Sequence, residues 1–165
     1  MSTNRRSKHS TYFVSACRKQ RCTRSSRTSY LSTFHDAEEM ASTDPIFVVN
    51  CTKDFPMVSK DGIRIPVNDD GSKEALDGML MAFSSATNQI EEWLLAGRRV
   101  VVHCLAGQQR SPAVIAAFLM DHRSFGLQEA IRYIRCKKPD AFFWHVNFRD
   151  PLERYAILLG NVVRT

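Results

Sequence analysis

One stretch limits the folds open to this chain more than any other. Val100-Val101-Val102 is a β-branched run with no polar face, and it leads through His103-Cys104-Leu105-Ala106-Gly107-Gln108-Gln109-Arg110 into Ser111-Pro112 and the apolar segment Ala113 to Met120. A short run that is apolar on both faces reads as a strand covered on both sides. Ser-Pro ahead of an apolar segment reads as a helix start. A buried strand, a loop of eight residues and a helix in direct succession belong to an α/β arrangement.

The rest of the chain supplies more units of the same kind. Tyr30-Leu31 opens the body and is followed by a helical turn or two over His35 to Met40. Ile46-Phe47-Val48-Val49, bounded by Pro45 and Asn50, reads as a second strand buried on both faces. Ile63 to Val67 alternates and suits a sheet edge, because Pro66 cannot donate to a ladder. The polar run Asn68-Asp69-Asp70-Gly71-Ser72 then breaks the chain. From Lys73 to Leu95 the apolar residues Leu76, Met79, Leu80, Phe83, Ala86, Ile90, Trp93 and Leu94 recur at spacings of three and four, giving a long amphipathic helix ended by Gly97. Two further helices are predicted over Leu127 to Lys137 and Pro151 to Leu159, the second with Asp150 as N-cap. The predicted fold is a single α/β domain with a central, mostly parallel sheet flanked by helices on both faces.

At 165 residues the chain is one domain long, and no run of 18 apolar residues crosses a membrane. The N-terminus carries no secretory apolar core; its longest apolar run is Tyr12-Phe13-Val14. The net charge of +6 is unevenly spread. Residues 1 to 29 hold eight Lys/Arg and no acid, whereas the remaining 136 hold 15 basic and 17 acidic side chains. The basicity thus belongs to an arm, residues 1–29, ahead of a body predicted over residues 30–165. A solvated tail, a contact for nucleic acid or another acidic partner, and an organelle address all share this composition. Five scattered cysteines (17, 22, 51, 104 and 136) lack paired spacing, so neither a disulfide framework nor a zinc site is expected. Thiols kept reduced point to an intracellular compartment, cytoplasm or nucleus.

The loop at 103–111 carries the chemistry. Between a strand's C-terminal end and a helix N-terminus, unpaired amides and the positive end of the helix dipole make an anion site. Gly107 allows a positive φ, so that successive amides of Leu105, Ala106, Gly107, Gln108, Gln109 and Arg110 can face one centre. The Arg110 guanidinium suits two phosphate oxygens at once. Cys104, at the strand end beneath that nest, meets amides, helix dipole and arginine, the surroundings that favour a thiolate. A thiolate under a bound phosphoryl group is placed for in-line attack on phosphorus.

The string His103-Cys104-x-x-Gly107-x-x-Arg110-Ser111 resembles the HCxxGxxR(S/T) signature of the protein tyrosine phosphatase superfamily, and Pro112 with its apolar helix resembles the small dual-specificity branch. Phe47 to Thr52 is similar to that family's V-L-N-x-T strand, and Ile65-Pro66-Val67-Asn68-Asp69 to the segment with its general acid, so the resemblance runs from about Tyr30 onward. It implies Cys104 as nucleophile, Arg110 as phosphate ligand, Ser111 as the hydroxyl that steadies Cys104 as leaving group, and His103 as a support within the loop. A leaving alkoxide or phenoxide needs a proton. Asp69 and Asp70 both lie in the acidic loop; the family pattern points to Asp69. No metal or other cofactor is implied, since arginine and amides supply the positive field.

Two departures bear on the substrate. Many relatives carry Ser where this chain has Gln109; because backbone amides hold the anion, the exchange bears on loop packing rather than on the cradle. Leu105, Ala106, Gln108 and Gln109 are uncharged, which argues against highly anionic lipid headgroups. The expected substrate is a phosphorylated protein, with phosphotyrosine and phosphoserine/threonine both accepted by resemblance. Two alternatives stay open here: an RNA 5′-phosphatase of the same superfamily using the basic arm, and a catalytically silent phosphate-binding module. Cys51 lies at the end of a strand near Cys104, as a redox partner for it or as a plain buried strand cysteine.

Overall fold

The computed structural model describes residues 12–15 and 28–160. Five strands form one sheet in the order β1-β2-β5-β3-β4: β1 (Tyr12–Ser15), β2 (Thr28–Ser32), β3 (Phe47–Asn50), β4 (Gly62–Arg64) and β5 (Val100–His103). The pairs β2/β5, β5/β3 and β3/β4 are parallel, and only β1 runs antiparallel, against β2. The helices are α1 (Phe34–Thr43), α2 (Lys73–Leu95), α3 (Arg110–Arg123), α4 (Leu127–Lys137) and α5 (Arg149–Leu158).

The alternation of side chains along a strand decides which helix each face meets. Val49, Val100, Val102 and Cys104 face the larger core, built with Met79, Phe83 and Ile90 of α2 and with the fully buried run Ala113 to Met120 of α3. Val48 and Val101 point the other way, onto Ala37 of α1. Helices therefore cover both faces, four on one and one on the other, and β5 sits at the centre, buried along its whole length. At roughly 1.5–3 kcal/mol for each large apolar side chain withdrawn from water, this central strand is pinned in register.

α2 and α4 span the predicted residues. Ser72 caps α2 by accepting from the Ala75 amide at 3.2 Å, and Gly97 leaves it at φ +74°. Three expectations need correction. The segment 1–29, read as an arm outside the body, contributes β1 and the start of β2 to the sheet; its remaining residues, 1–11 and 16–27, lie outside the described ones. The strand predicted over Ile63 to Val67 covers Gly62–Arg64 instead, on the sheet edge as expected. Beyond it the Ile65 amide still reaches the Asn50 carbonyl at 2.9 Å, but the Val67 amide turns back to the Ile65 carbonyl across Pro66. The N-cap of α5 is Phe148, not Asp150. Asp150 and Pro151 fall within its first turn, where amides need no intrahelical acceptor. Buried Phe148 anchors the helix start two residues early.

Candidate active site

β5 ends at His103, and α3 begins at Arg110, so the intervening loop spans Cys104 to Gln109. Most of its carbonyls, and that of His103 just before it, are committed outward. That of His103 accepts from Cys51 N (2.8 Å), that of Leu105 from Phe34 N (3.2 Å), that of Gln108 from Phe142 N (2.7 Å), and that of Gln109 from Ala113 N (3.0 Å). Among the described residues, the amides of Leu105 to Arg110 have no protein acceptor. A loop whose carbonyls are bound and whose amides are not is an anion nest. Gly107 makes this possible at φ +67°, and a Cβ there would stand 2.9 Å from the Ser32 carbonyl oxygen and 3.0 Å from Lys138 Cε. Glycine is required on both counts, conformation and space.

Cys104 lies at the floor of the nest, 2% exposed, and Ser111 Oγ donates to its sulfur at 3.2 Å. Arg110, the first residue of α3, sends Nη1 to the Val67 carbonyl at 3.3 Å, while its buried Nε has no partner among the described residues. A guanidinium donor buried without an acceptor costs free energy that an oxyanion would recover. His103 is fully buried, with Nδ1 3.3 Å from the Cys104 carbonyl oxygen, so that nitrogen carries the hydrogen. Burial lowers its pKa from 6.5 to about 4; the bond to the Cys104 carbonyl opposes the shift, and the Arg64 charge adds to it. His103 is therefore neutral, and it braces the loop backbone rather than the sulfur. The thiol of Cys51 is raised well above its ordinary value by burial and by the nearby Cys104 charge, as befits a packed and protonated core cysteine.

Asp69 and Asp70 differ in what holds them. Asp70 Oδ1 accepts from the Ser72 amide at 3.0 Å, and this bond holds its carboxyl below the usual range. It is an ionised loop brace at the start of α2. Asp69 Oδ1 instead accepts from Asn147 Nδ2 at 2.7 Å, across 78 residues of sequence. The Arg110 bond to Val67, two residues before Asp69, ties this loop to the phosphate nest.

Two contributors, Asn147 and Lys138, were not singled out from the sequence, and a third, Gln109, was read only in part. Asn147 offers no signal of its own, a polar residue between buried Val146 and Phe148. Lys138 is wholly buried beneath Gly107, its Nζ between the two Asp140 oxygens at 2.6 and 2.7 Å. Partial burial opposes ionisation of Asp140, yet Lys138 outweighs it and keeps the carboxyl below the usual range. Gln109 was placed in the cradle by its backbone, but its side chain turns away. Nε2 donates to the carbonyls of Phe143 (3.2 Å) and His145 (2.9 Å), and Oε1 accepts from the Asn147 amide (3.1 Å).

Comparison with known proteins agrees with this geometry. The family model for the dual specificity phosphatase catalytic domain matches residues 29–156. The dual specificity protein phosphatase Mpk3 of Drosophila melanogaster is 34% identical over 110 residues, covering 64% of this chain and 26% of that protein. The tyrosine-protein phosphatase vhp-1 of Caenorhabditis elegans is 31% identical over 61% of this chain but only 14% of its own length. Human dual specificity phosphatase 28 is 29% identical over 132 residues, 74% of this chain and 73% of its own. The crystal structure of human DUSP28 matches with a TM-score of 0.69 at 25% identity, over 80% of this chain and 90% of that one. The chain thus spans about a quarter of Mpk3, about a seventh of vhp-1 and most of the compact relative. It belongs to the dual specificity phosphatase family, whose catalytic domain it carries.

Proposed function

We propose that this chain hydrolyses phosphate monoesters of proteins, phosphotyrosine and phosphoserine/threonine alike, through a cysteinyl-phosphate on Cys104. The observation that carries the reading is the nest itself: a buried sulfur with a hydroxyl donor at 3.2 Å, beneath amides and an arginine Nε that lack acceptors among the described residues. In the first step the Cys104 thiolate attacks phosphorus. An S–P bond forms as the ester P–O bond breaks, Arg110 and the loop amides stabilise the equatorial oxygens, and Asp69 gives its proton to the departing oxygen. In the second step Asp69, now ionised, takes a proton from water, whose oxygen attacks phosphorus. The S–P bond breaks, inorganic phosphate leaves, and the thiolate is restored with help from the Ser111 hydroxyl. Neutral His103 moves no proton.

The relatives that match are named as protein phosphatases, which favours a phosphoprotein substrate over the RNA 5′-phosphate alternative. The intact pairing of Cys104, Arg110 and Ser111 weighs against a silent binding module. The test is hydrolysis of a small aryl phosphate and a phosphopeptide by wild type, Cys104→Ser, Asp69→Asn and Asp70→Asn. Cys104→Ser should lose turnover yet still bind vanadate. Asp69→Asn should slow the phosphopeptide by roughly 10²–10⁴-fold, and an activated nitrophenyl ester distinctly less. Asp70→Asn should do neither. Turnover by a contaminant-free Cys104→Ser sample, or the reverse ranking of the two aspartates, would overturn the assignment.

A further inference from the structure

We propose that Gln109 and Asn147 form a positioning strap that sets the Asp69 carboxyl over the phosphate loop, an inference that rests on Asp69 being the general acid. Gln109 sits in the loop itself, 7% exposed, and three of its side-chain hydrogen-bonding positions are engaged by one segment, Phe143 to Asn147. Its amide nitrogen spans the carbonyls on either side of Trp144, which stands at φ +66°. A large aromatic residue holds that left-handed conformation, costing about 1–2 kcal/mol, only where its surroundings impose it. Phe142, at φ +55°, is fixed in the same way: its amide goes to Gln108 O at 2.7 Å, and its carbonyl accepts from Arg135 Nη2 at 2.8 Å. The segment is therefore clamped between the phosphate loop and α4.

What this clamp delivers is Asn147. Gln109 Oε1 holds the Asn147 amide, and the Asn147 side chain donates to Asp69 Oδ1 in a short bond of 2.7 Å. The bond occupies one carboxyl oxygen and leaves Oδ2 to carry the proton. Asn147 Oδ1, meanwhile, is buried with no partner among the described residues. A side chain placed for folding alone would satisfy both ends of its amide; this one satisfies the end that meets the acid. Gln109 is the length that makes the strap. A serine, which many relatives carry there, is too short to reach Phe143 O, His145 O and Asn147 N from the same backbone. The nucleophile loop and the acid loop are thus joined through side chains as well as through the Arg110 bond to Val67.

The full-length protein is tested with a series of aryl phosphates, from nitrophenyl and fluorinated coumarin esters to phenyl phosphate, plotting log kcat/KM against leaving-group pKa. Asn147→Ala should steepen the slope toward that of Asp69→Asn. Its rate on phenyl phosphate should fall by about tenfold to a hundredfold, and on the activated esters by much less, because only a misplaced acid discriminates by leaving group. Gln109→Ser should steepen the slope in the same direction. The double variant Asp69→Asn/Asn147→Ala should be no slower on phenyl phosphate than Asp69→Asn alone. A slope equal to wild type in Asn147→Ala, even with a uniform loss of rate, overturns the strap while leaving the acid in place. An Asp69→Asn slope equal to wild type overturns the acid, and the strap with it.

Discussion

Replacing Ser111 by alanine removes the hydroxyl that donates to the Cys104 sulfur, at 3.2 Å and in a fully buried position. A hydrogen bond to a charged acceptor contributes about 1.5–3 kcal/mol. At about 1.4 kcal/mol per factor of ten, that corresponds to roughly 10- to 150-fold in a rate governed by it. The two chemical steps feel the loss in opposite ways. When Cys104 attacks, it begins as the stabilised thiolate, so losing the donor raises the ground state and does not slow attack. When the cysteinyl-phosphate breaks down, sulfur departs as thiolate, and the missing donor is absent where negative charge develops. Ser111→Ala should therefore lower kcat by about 10- to 150-fold on nitrophenyl phosphate while changing kcat/KM far less, since kcat/KM reports steps up to loss of nitrophenolate. Stopped-flow mixing should show a burst of nitrophenolate stoichiometric with enzyme, and intact-mass analysis of quenched samples should show phosphate on Cys104. Ser111→Thr, which keeps the hydroxyl, should restore steady-state turnover. Equal losses in kcat and kcat/KM with no burst would mean that the hydroxyl serves the loop or the attack, and the reasoning about the leaving group would be wrong.

Two further outcomes follow from the geometry. Gly107→Ala sets a methyl 2.9 Å from the Ser32 carbonyl at φ +67°, where conformation alone costs about 1–2 kcal/mol; calorimetry should show Tm lower by at least about 3 °C and activity nearly lost, whereas wild-type values for both would refute the close approach. His103 has its folded pKa depressed to about 4 from 6.5, so the unfolded chain binds the extra proton, and stability present above pH 6.5 is lost as pH falls toward 4, by up to about 3 kcal/mol; its imidazole resonance should not titrate above about pH 5 in the folded protein, and a midpoint near 6.5 would contradict the buried, neutral ring.

The parts of the fold legible in advance are those whose information is local. The span of α2 is written in the chain as an unbroken spacing of three and four ended by Gly97, and the structure keeps both, with Ser72 of the polar run before it serving as N-cap. The nest was legible because one residue type serves each of its physical demands: glycine for positive φ, arginine for a planar cation, cysteine for the nucleophile. What was not legible depends on partners remote in sequence. β1 is four residues in a basic segment, and it is a strand because β2 offers it a ladder, which no pattern within Tyr12–Ser15 announces. Asp150 is a good N-cap by residue type, yet the burial of Phe148 sets the start of α5. The Asn147 to Asp69 contact spans 78 residues, and Lys138, which any composition rule would put on the surface, is buried because Asp140 folds back onto it.

The structure also marks its site without reference to any motif, through the places where local preferences are violated. Among the described residues, the buried side-chain atoms lacking a hydrogen-bond partner are His103 Nε2, Arg110 Nε, His122 Nε2, Arg123 Nε and Asn147 Oδ1. Three of these five belong to the phosphate loop or to the strap beside it. The non-glycine residues at positive φ among those described are Ser124, Phe142 and Trp144, and two of those three lie in the segment that Gln109 clamps. Ser124 needs no functional account, since it closes α3 in the left-handed conformation common at helix ends. Each remaining violation costs on the order of 1–3 kcal/mol in a domain whose net stability is of order ten. A sequence shaped for stability alone would shed such costs, for they are relieved by single substitutions, glycine at Trp144 among them. Apart from His122 and Arg123 at the far end of α3, they fall in the phosphate loop and the segment that Gln109 clamps, which is where the proposed chemistry asks for an arginine awaiting an oxyanion and an asparagine turned toward an acid.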